Sequence, residues 1–385
     1  MSRDPHLMHK IVFWQNIPSI LQAPVISEFA KSTLCDVTVI TESDISTSRK
    51  NQGWQRPEFK PAELIIDPSK SQVKDIWQSH NSDSVHIFSG IDAYPFVYKN
   101  FKTAVSKSVR IGVFAEPGRH NDFKFLLRKL KYRYHAIRWD NDIDFILPTG
   151  QLGVDWFEMN GFSKNSIYPF GYFVRNDIVE SEMIGSNKKD SKIEFIFIGQ
   201  LINRKGLDYL LDAFSKLNNK EWVLRIVGSG EKKDDYKAMV DRLGINDQVI
   251  FEGVLPNKNV FEYLKKSDYL ILPSRYDGWG AVVNEALTVG TPCIVSSNCG
   301  SSDLIQSELQ GRVFQCGSIN KLGQILNNII KKDHKTGHEK RKKLREWARL
   351  NISPNAGAQY LNDILDFIYG SERGNLKPTA PWRKV

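Results

Sequence analysis

Pro273-Ser274-Arg275-Tyr276-Asp277-Gly278-Trp279-Gly280-Ala281-Val282-Val283-Asn284-Glu285-Ala286-Leu287 follows a short apolar run and leads into residues with helical periodicity. A loop between strand and helix lies at the C-terminal edge of a parallel sheet, where open α/β folds bind their ligands. The two glycines admit a ligand close to the backbone, and the amides at a helix start favour an anion such as phosphate. Asp277 and Glu285 flank those amides, one before the helix and one about a turn inside it. Each carboxylate can accept paired hydrogen bonds from a diol, one on either side of a bound diphosphate. A nucleotide sugar has that layout. The competing reading is that Asp277 caps the helix and Glu285 faces solvent.

Phe197-Ile198-Gly199-Gln200-Leu201-Ile202-Asn203-Arg204-Lys205-Gly206-Leu207 repeats the strand, glycine loop and helix. Arg204 and Lys205 stand just before the helix, where cations neutralise a diphosphate and stabilise it as a leaving group. A plain turn and a solvated surface charge account for the same two residues equally well. Val227-Gly228-Ser229-Gly230-Glu231 and Phe251-Glu252-Gly253-Val254-Leu255-Pro256 also end strands in glycine turns.

Apolar β-rich runs alternate with amphipathic ones throughout, the pattern of βαβ units around parallel sheets. Strands are expected near Lys10–Trp14, Asp36–Thr41, Leu64–Ile66, Val85–Phe88, Arg110–Phe114 and Phe145–Leu147. A second series follows at Glu194–Ile198, Val223–Val227, Val249–Phe251, Tyr269–Leu272, Cys293–Val295 and Val313–Phe314. The helices expected between them include Leu21–Lys31, Tyr94–Ser106, Leu207–Leu217, Asp234–Leu243, Val260–Lys265 and Ala281–Val289. Polar residues Arg175–Lys192 separate the two series. This predicts one domain over residues 1–174 and another over 175–354. A basic helix, Glu339–Leu350, precedes a last helix, Ala356–Ile368, which has no sheet of its own, so residues 355–385 are expected to cross back to the first domain.

A length of 385 residues and a 41% hydrophobic content supply two cores and exclude disordered and fibrous classes. The net charge of +9 invites a nucleic-acid reading, but its distribution argues otherwise. Residues 119–140, 331–345 and 370–385 carry +5, +6 and +3, which leaves the other 332 residues at −5. No nucleic-acid-binding motif accompanies the charge, so no nucleic-acid partner is expected. Cys35, Cys293, Cys299 and Cys316 form no C-x-x-C pair, so neither a zinc site nor a disulfide framework is suggested. The amino-terminal MSRDPHLMHK lacks a signal-peptide core, and no run of about 18 apolar residues occurs. A cytoplasmic protein is expected.

The ordered set Phe197–Gly206, Val227–Glu231, Phe251–Val254, Leu272–Pro292 and Gly300–Ile305 resembles family 4 of the retaining glycosyltransferases, of the type that builds surface polysaccharides. The resemblance is strong over residues 193–330. It implies the α/β GT-B fold, in which two Rossmann-like domains with parallel sheets face each other across a cleft and a C-terminal helix crosses back. It implies an enzyme with no cofactor or metal, moving sugar from a nucleoside diphosphate, UDP or GDP, to an acceptor hydroxyl. Attack would come on the face the leaving group vacates, with a donor phosphate oxygen taking the proton. Carried over by position, Glu285 would bind the ribose, Asp277 a sugar hydroxyl and Lys205 the diphosphate, while Gly253, Val254 and Leu255 would border the base. Gly199 and the backbone of Gly278, Trp279, Gly280, Ala281 and Val282 would line phosphate and sugar.

The departures are as informative. Asp277 stands where the family usually has Glu, and Gln200 where an Arg commonly pairs with the Lys, so Arg204 is the candidate second phosphate cation. Asn16-Ile17-Pro18-Ser19 replaces the family's amino-terminal Gly-Gly loop. Where relatives often end a strand with His, this chain has Ala115-Glu116-Pro117-Gly118-Arg119-His120. Glu116, His120 and Ser19 are therefore the acceptor-side candidates. Phe123, Leu126, Leu127 and Leu130 repeat with helical spacing among Lys124, Arg128, Lys129, Lys131 and Arg133. Such a helix can lie on an anionic membrane, or it can pack that stripe on the core. With the basic face, the acceptor is expected to be a lipid-linked saccharide and the protein peripheral on the inner membrane face. The rivals are a soluble acceptor and a non-catalytic nucleotide-binding scaffold. A dehydrogenase is disfavoured because no G-x-G-x-x-G follows the first strand.

Overall fold

The computed structural model describes residues 10–47, 55–80, 82–119, 124–174, 192–332, 336–370 and 376–384. The chain divides into two compact units, one of residues 1–175 and 351–385, the other of 176–350. The polar stretch expected to separate two domains lies almost wholly outside the described residues.

In unit 1, β1 (Lys10–Gln15), β2 (Asp36–Thr41), β3 (Glu63–Ile66), β4 (Val85–Ser89), β5 (Arg110–Ala115) and β6 (Phe145–Pro148) form one parallel sheet. Its order is β3-β2-β1-β4-β5-β6. Ile11 to Trp14 are buried one after another, because helices cover both faces of a parallel sheet and its inner strands run apolar rather than alternating. Gly112 of β5 pairs with Phe145 of β6, whose ring stands 2.2 Å from where a Cβ would sit. The covering helices are α1 (Ala23–Ser32), α2 (Lys70–Ser79), α3 (Pro95–Ser106), α4 (Phe125–Trp139) and α5 (Gly150–Met159). Ser69 and Gln72 form a reciprocal cap at the start of α2, and its Trp77 indole donates to Asn100 of α3 at 2.9 Å.

Unit 2 repeats the plan. β7 (Ile193–Ile198), β8 (Trp222–Val227), β9 (Val249–Gly253), β10 (Tyr269–Leu272), β11 (Cys293–Ser296) and β12 (Gly311–Phe314) take the order β12-β11-β10-β7-β8-β9. Its helices are α6 (Leu207–Ser215), α7 (Lys233–Leu243), α8 (Asn257–Lys266), α9 (Val282–Thr288), α10 (Ile319–Lys331) and α11 (His338–Asn351). In both sheets the order reverses beside the first strand, the switch point at which such folds open a ligand crevice. In unit 2 that point lies between β7 and β10.

All twelve expected strands are present, their ends within two residues of expectation. Helices Lys70–Ser79, Gly150–Met159 and Ile319–Lys331 are additions to the sequence reading. α12 (Pro354–Tyr369) packs on α1, where Asn362 Nδ2 donates to Ser32 Oγ at 3.0 Å, and Tyr360 stacks on Phe170.

The basic segments 331–345 and 370–385 add packing and hydrogen bonds to their charge. Arg341 is half-buried, donating to the backbone of Thr336 and Ser267 and to the Thr291 hydroxyl. Trp382, only 2% exposed, packs on Phe173, and Arg383 donates to Gln151 at 2.8 Å. Of the two readings of the α4 stripe, the one that packs it on the core is set aside. The helix turns His135, Ala136 and Trp139 into the core, with Phe125 and Tyr132 packed beside them, and leaves Leu126, Leu127 and Leu130 exposed. Phe123 lies outside the described residues. No helix among the described residues is long and apolar enough to cross a membrane.

Candidate functional site

The loops that leave β7 and β10 meet at the switch point of unit 2. Gly206 adopts φ +66°, and a Cβ there would stand 2.3 Å from the Pro273 carbonyl oxygen, so the loops touch backbone to backbone. Arg275 N donates to Arg204 O at 2.9 Å and ties them again. The Arg275 guanidinium forks onto both carboxylate oxygens of Asp208, lies over the Tyr209 ring and donates to Asn203 O. The Asp208 carboxylate raises the Arg275 pKa above its ordinary value. Sequence reading missed this clamp, because nothing in the linear order connects residues 67 positions apart. Gly206→Ala is expected to cost unit 2 about 1–3 kcal/mol, since the alanine must adopt a left-handed backbone while pushing the loops apart. Thermal denaturation measures the loss.

Lys205 and Asp277 are brought together by this arrangement. Lys205 Nζ stands 2.5 Å from Asp277 Oδ2, with side-chain exposures of only 14% and 13%. Arg204 Nη1 lies 3.6 Å from Asp277 Oδ1 and donates to Tyr276 O at 3.1 Å. Asp277 is therefore an ion-pair partner and does not cap α9, whose start carries no side-chain cap. The Asp277 backbone is pinned by a bond from its N–H to Asn298 O and another from Gly300 N. Gln200 is exposed, and Arg204 is the arginine directed at the Asp277 loop.

Trp279 and Gly278 are buried, and the Trp279 indole donates to Asn284 Oδ1 at 2.7 Å, locking the loop to α9. Gly280 sits at φ +92° with no room for a Cβ against Leu272. Ala281 and Val282 begin the helix. Glu285 is half-buried, and burial alone pushes its pKa up to about 7. Among the described residues its carboxyl has no hydrogen-bond partner. Gly199 closes β7 and packs against the Gly228 turn, where a Cβ would meet Gly199 O at 1.9 Å. Gly253 ends β9 at φ +76°, followed by exposed Val254 and half-buried Leu255.

The acceptor-side candidates belong to unit 1. Ser19 lies in the loop after β1, its N–H bonded to Gln15 Oε1 at 3.1 Å and its hydroxyl accepting from Gln22 N. Glu116 follows β5 on the surface and accepts from the Tyr172 hydroxyl at 2.8 Å. His120 lies outside the described residues. Of the basic residues of the α4 segment, Lys131 pairs with Asp92 at 2.5 Å and Arg128 donates to Arg119 O, so neither is a free surface cation. Lys124 and Arg133 are exposed and Lys129 half-buried.

Residues 179–351 match the family described as Glycosyl transferases group 1. Among curated relatives, the lipopolysaccharide 1,6-galactosyltransferase of Salmonella typhimurium is 29% identical over 167 residues, 42% of this chain and 46% of that protein. The chain spans about a third to a half of the length of the first curated relatives it matches. Among solved structures, the apo form of the lipopolysaccharide outer core galactosyltransferase WaaB superposes with a TM-score of 0.66 at 18% identity, over 92% of this chain and 98% of that one. Anabaena Alr3699/HepE in complex with UDP gives 0.68 at 15% identity, over 93% and 99%. Both are GT-B glycosyltransferases. Unit 2 is accordingly similar to the group 1 glycosyl transferases, in a chain with the architecture of the GT-B glycosyltransferases.

Proposed function

We propose that the chain is a retaining glycosyltransferase that moves a sugar from a UDP- or GDP-sugar to a hydroxyl of a lipid-linked saccharide, on the inner face of the membrane where surface polysaccharide is assembled. The observation that carries this reading is the half-buried Glu285 carboxyl, without a partner among the described residues, on the helix leaving a loop whose Asp277 holds Lys205 and Arg204. A carboxylate so placed accepts a ribose diol, and the cations take up the charge that develops on the departing diphosphate. The bond from the anomeric carbon to the diphosphate breaks as the bond to the acceptor oxygen forms on the same face. The acceptor proton passes to a phosphate oxygen of the leaving group. The cations of the chain supply the stabilising charge, so no metal is required and transfer is expected to persist in EDTA. The HepE structure that holds UDP supports the donor class, and the lipopolysaccharide enzyme of Salmonella supports the acceptor class.

The test is release of nucleoside diphosphate and transfer to saccharide acceptors, measured over a panel of sugar nucleotides. Binding of nucleotide with no transfer to any acceptor would leave a nucleotide-binding protein and overturn the enzymatic reading. Glu285 adds a pH signature. Its carboxylate is the form that accepts ribose hydroxyls, and burial has raised its pKa to about 7, so donor affinity is expected to rise between about pH 6 and 8. Glu285→Gln flattens that profile and lowers kcat/KM by tenfold or more. The sign for stability is opposite. A carboxyl with a raised folded-state pKa stabilises the fold when protonated and loses that contribution as pH climbs from its ordinary value through about 7. The Gln variant is therefore expected to melt higher than the wild type at about pH 8 and no higher at about pH 5.

A further inference from the structure

The outer face of α4 is apolar. Leu126, Leu127, Leu130, Tyr134 and Ile137 stand 67%, 66%, 64%, 61% and 87% exposed. At about 100° per residue, Leu126, Ile137, Leu130, Tyr134 and Leu127 succeed one another around an arc of about 100°. The residues turned to the core, Tyr132, His135, Ala136 and Trp139, occupy the opposite side. Lys129 and Arg133 border the apolar arc along one edge, and Lys124, Lys131 and Arg138 along the other. The helix carries five cations and no acid.

Scattered exposed leucines are ordinary, but five large apolar side chains in one stripe mark a surface that is covered in use. We propose that this face of α4 docks on an anionic lipid bilayer, with the apolar arc entering the headgroup boundary and the cationic edges meeting lipid phosphates. The charge pattern selects the occupant. A second copy of the chain would set one cationic helix against another, whereas an anionic bilayer satisfies both edges while burying the stripe between them. The proposal revises which residues make the contact. Lys131 and Arg128 spend bonding capacity on Asp92 and the Arg119 carbonyl. Lys129 and Arg133 have no ion-pair partner among the described residues, and the leucines, tyrosine and isoleucine supply the insertion. It is independent of the donor chemistry, and a vesicle assay reads it without any sugar nucleotide.

Co-sedimentation with phosphatidylcholine vesicles, with and without phosphatidylglycerol, at low and high salt, tests it. The wild type is expected to sediment with the phosphatidylglycerol vesicles at low salt and to be released by high salt. The apolar variant Leu126→Glu/Leu130→Glu/Ile137→Glu and the cation variant Lys129→Glu/Arg133→Glu are each expected to bind at least about tenfold more weakly. Both alter exposed or half-buried positions and should keep the wild-type melting temperature and UDP affinity. Failure of the wild type to bind phosphatidylglycerol vesicles at low salt overturns the proposal, as does wild-type binding by the apolar variant. A dimer of the wild type in solution that the apolar variant dissolves, without vesicle binding, would assign the face to a second copy instead.

Discussion

Lys205→Ala is expected to lower kcat/KM for every competent donor by about 100-fold, the scale on which removing one preorganised group from a developing oxyanion acts. The nearly buried ammonium stands 2.5 Å from Asp277. Its removal takes away the attraction for the diphosphate and also strips Asp277 of its nearer partner, with Arg204 left at 3.6 Å. The bare carboxylate then repels the phosphates it formerly shared a cation with. The double variant Lys205→Ala/Asp277→Asn should consequently bind UDP better than Lys205→Ala alone, while transfer stays low because the leaving group still lacks its cation. A double-mutant cycle on UDP affinity and on kcat separates the two effects. Additive losses in both would show that the pair does not act as one unit.

The second large effect lies far from that loop in sequence. Trp382→Ala is expected to destabilise unit 1 by about 3–5 kcal/mol, the cost of emptying a large buried aromatic site. The indole is 2% exposed and meets Phe173, which also fills the space over Gly357 of α12. Hydrogen exchange localises the change. Amides of β1 to β6 should lose protection, and those of β7 to β12 should keep it. Unaltered protection throughout unit 1 would mean that the tail adds nothing to its stability.

Much of this molecule is legible in its sequence, for physical reasons that differ by level. The strands stand out because parallel sheets covered on both faces demand unbroken apolar runs, as in Phe195–Phe197 and Leu270–Leu272. The loops after β7 and β10 are legible as strand-to-helix loops because strand-end glycines with a charged residue beside them recur in order. Ile319–Lys331 carried a readable signal, with Leu322, Leu326, Ile329 and Ile330 one helical face apart behind a Ser318 cap. Gly150–Met159 did not, since two glycines in ten residues argue against a helix that only tertiary packing secures. Pairings such as Arg275 with Asp208, or Lys205 with Asp277, depend on which loops the sheet order makes neighbours, and local pattern does not state that order. The facing of α4 stayed open in the sequence for a related cause. The sequence displays an apolar stripe, but the core took Tyr132, His135 and Trp139 from the other side.

Unit 2 is one unbroken run from 176 to 350, whereas unit 1 takes its sheet from residues 10–148 and finishes with α12 and the Trp382 turn. During synthesis every residue of unit 2 is available before the helix that covers α1 has left the ribosome. The half translated first is thus the half completed last. A nascent chain whose residues up to 350 have emerged, with α12 still inside the ribosome, would hold a finished unit 2 and a six-stranded sheet with α1 still uncovered, and on that waiting surface chaperone contact should concentrate.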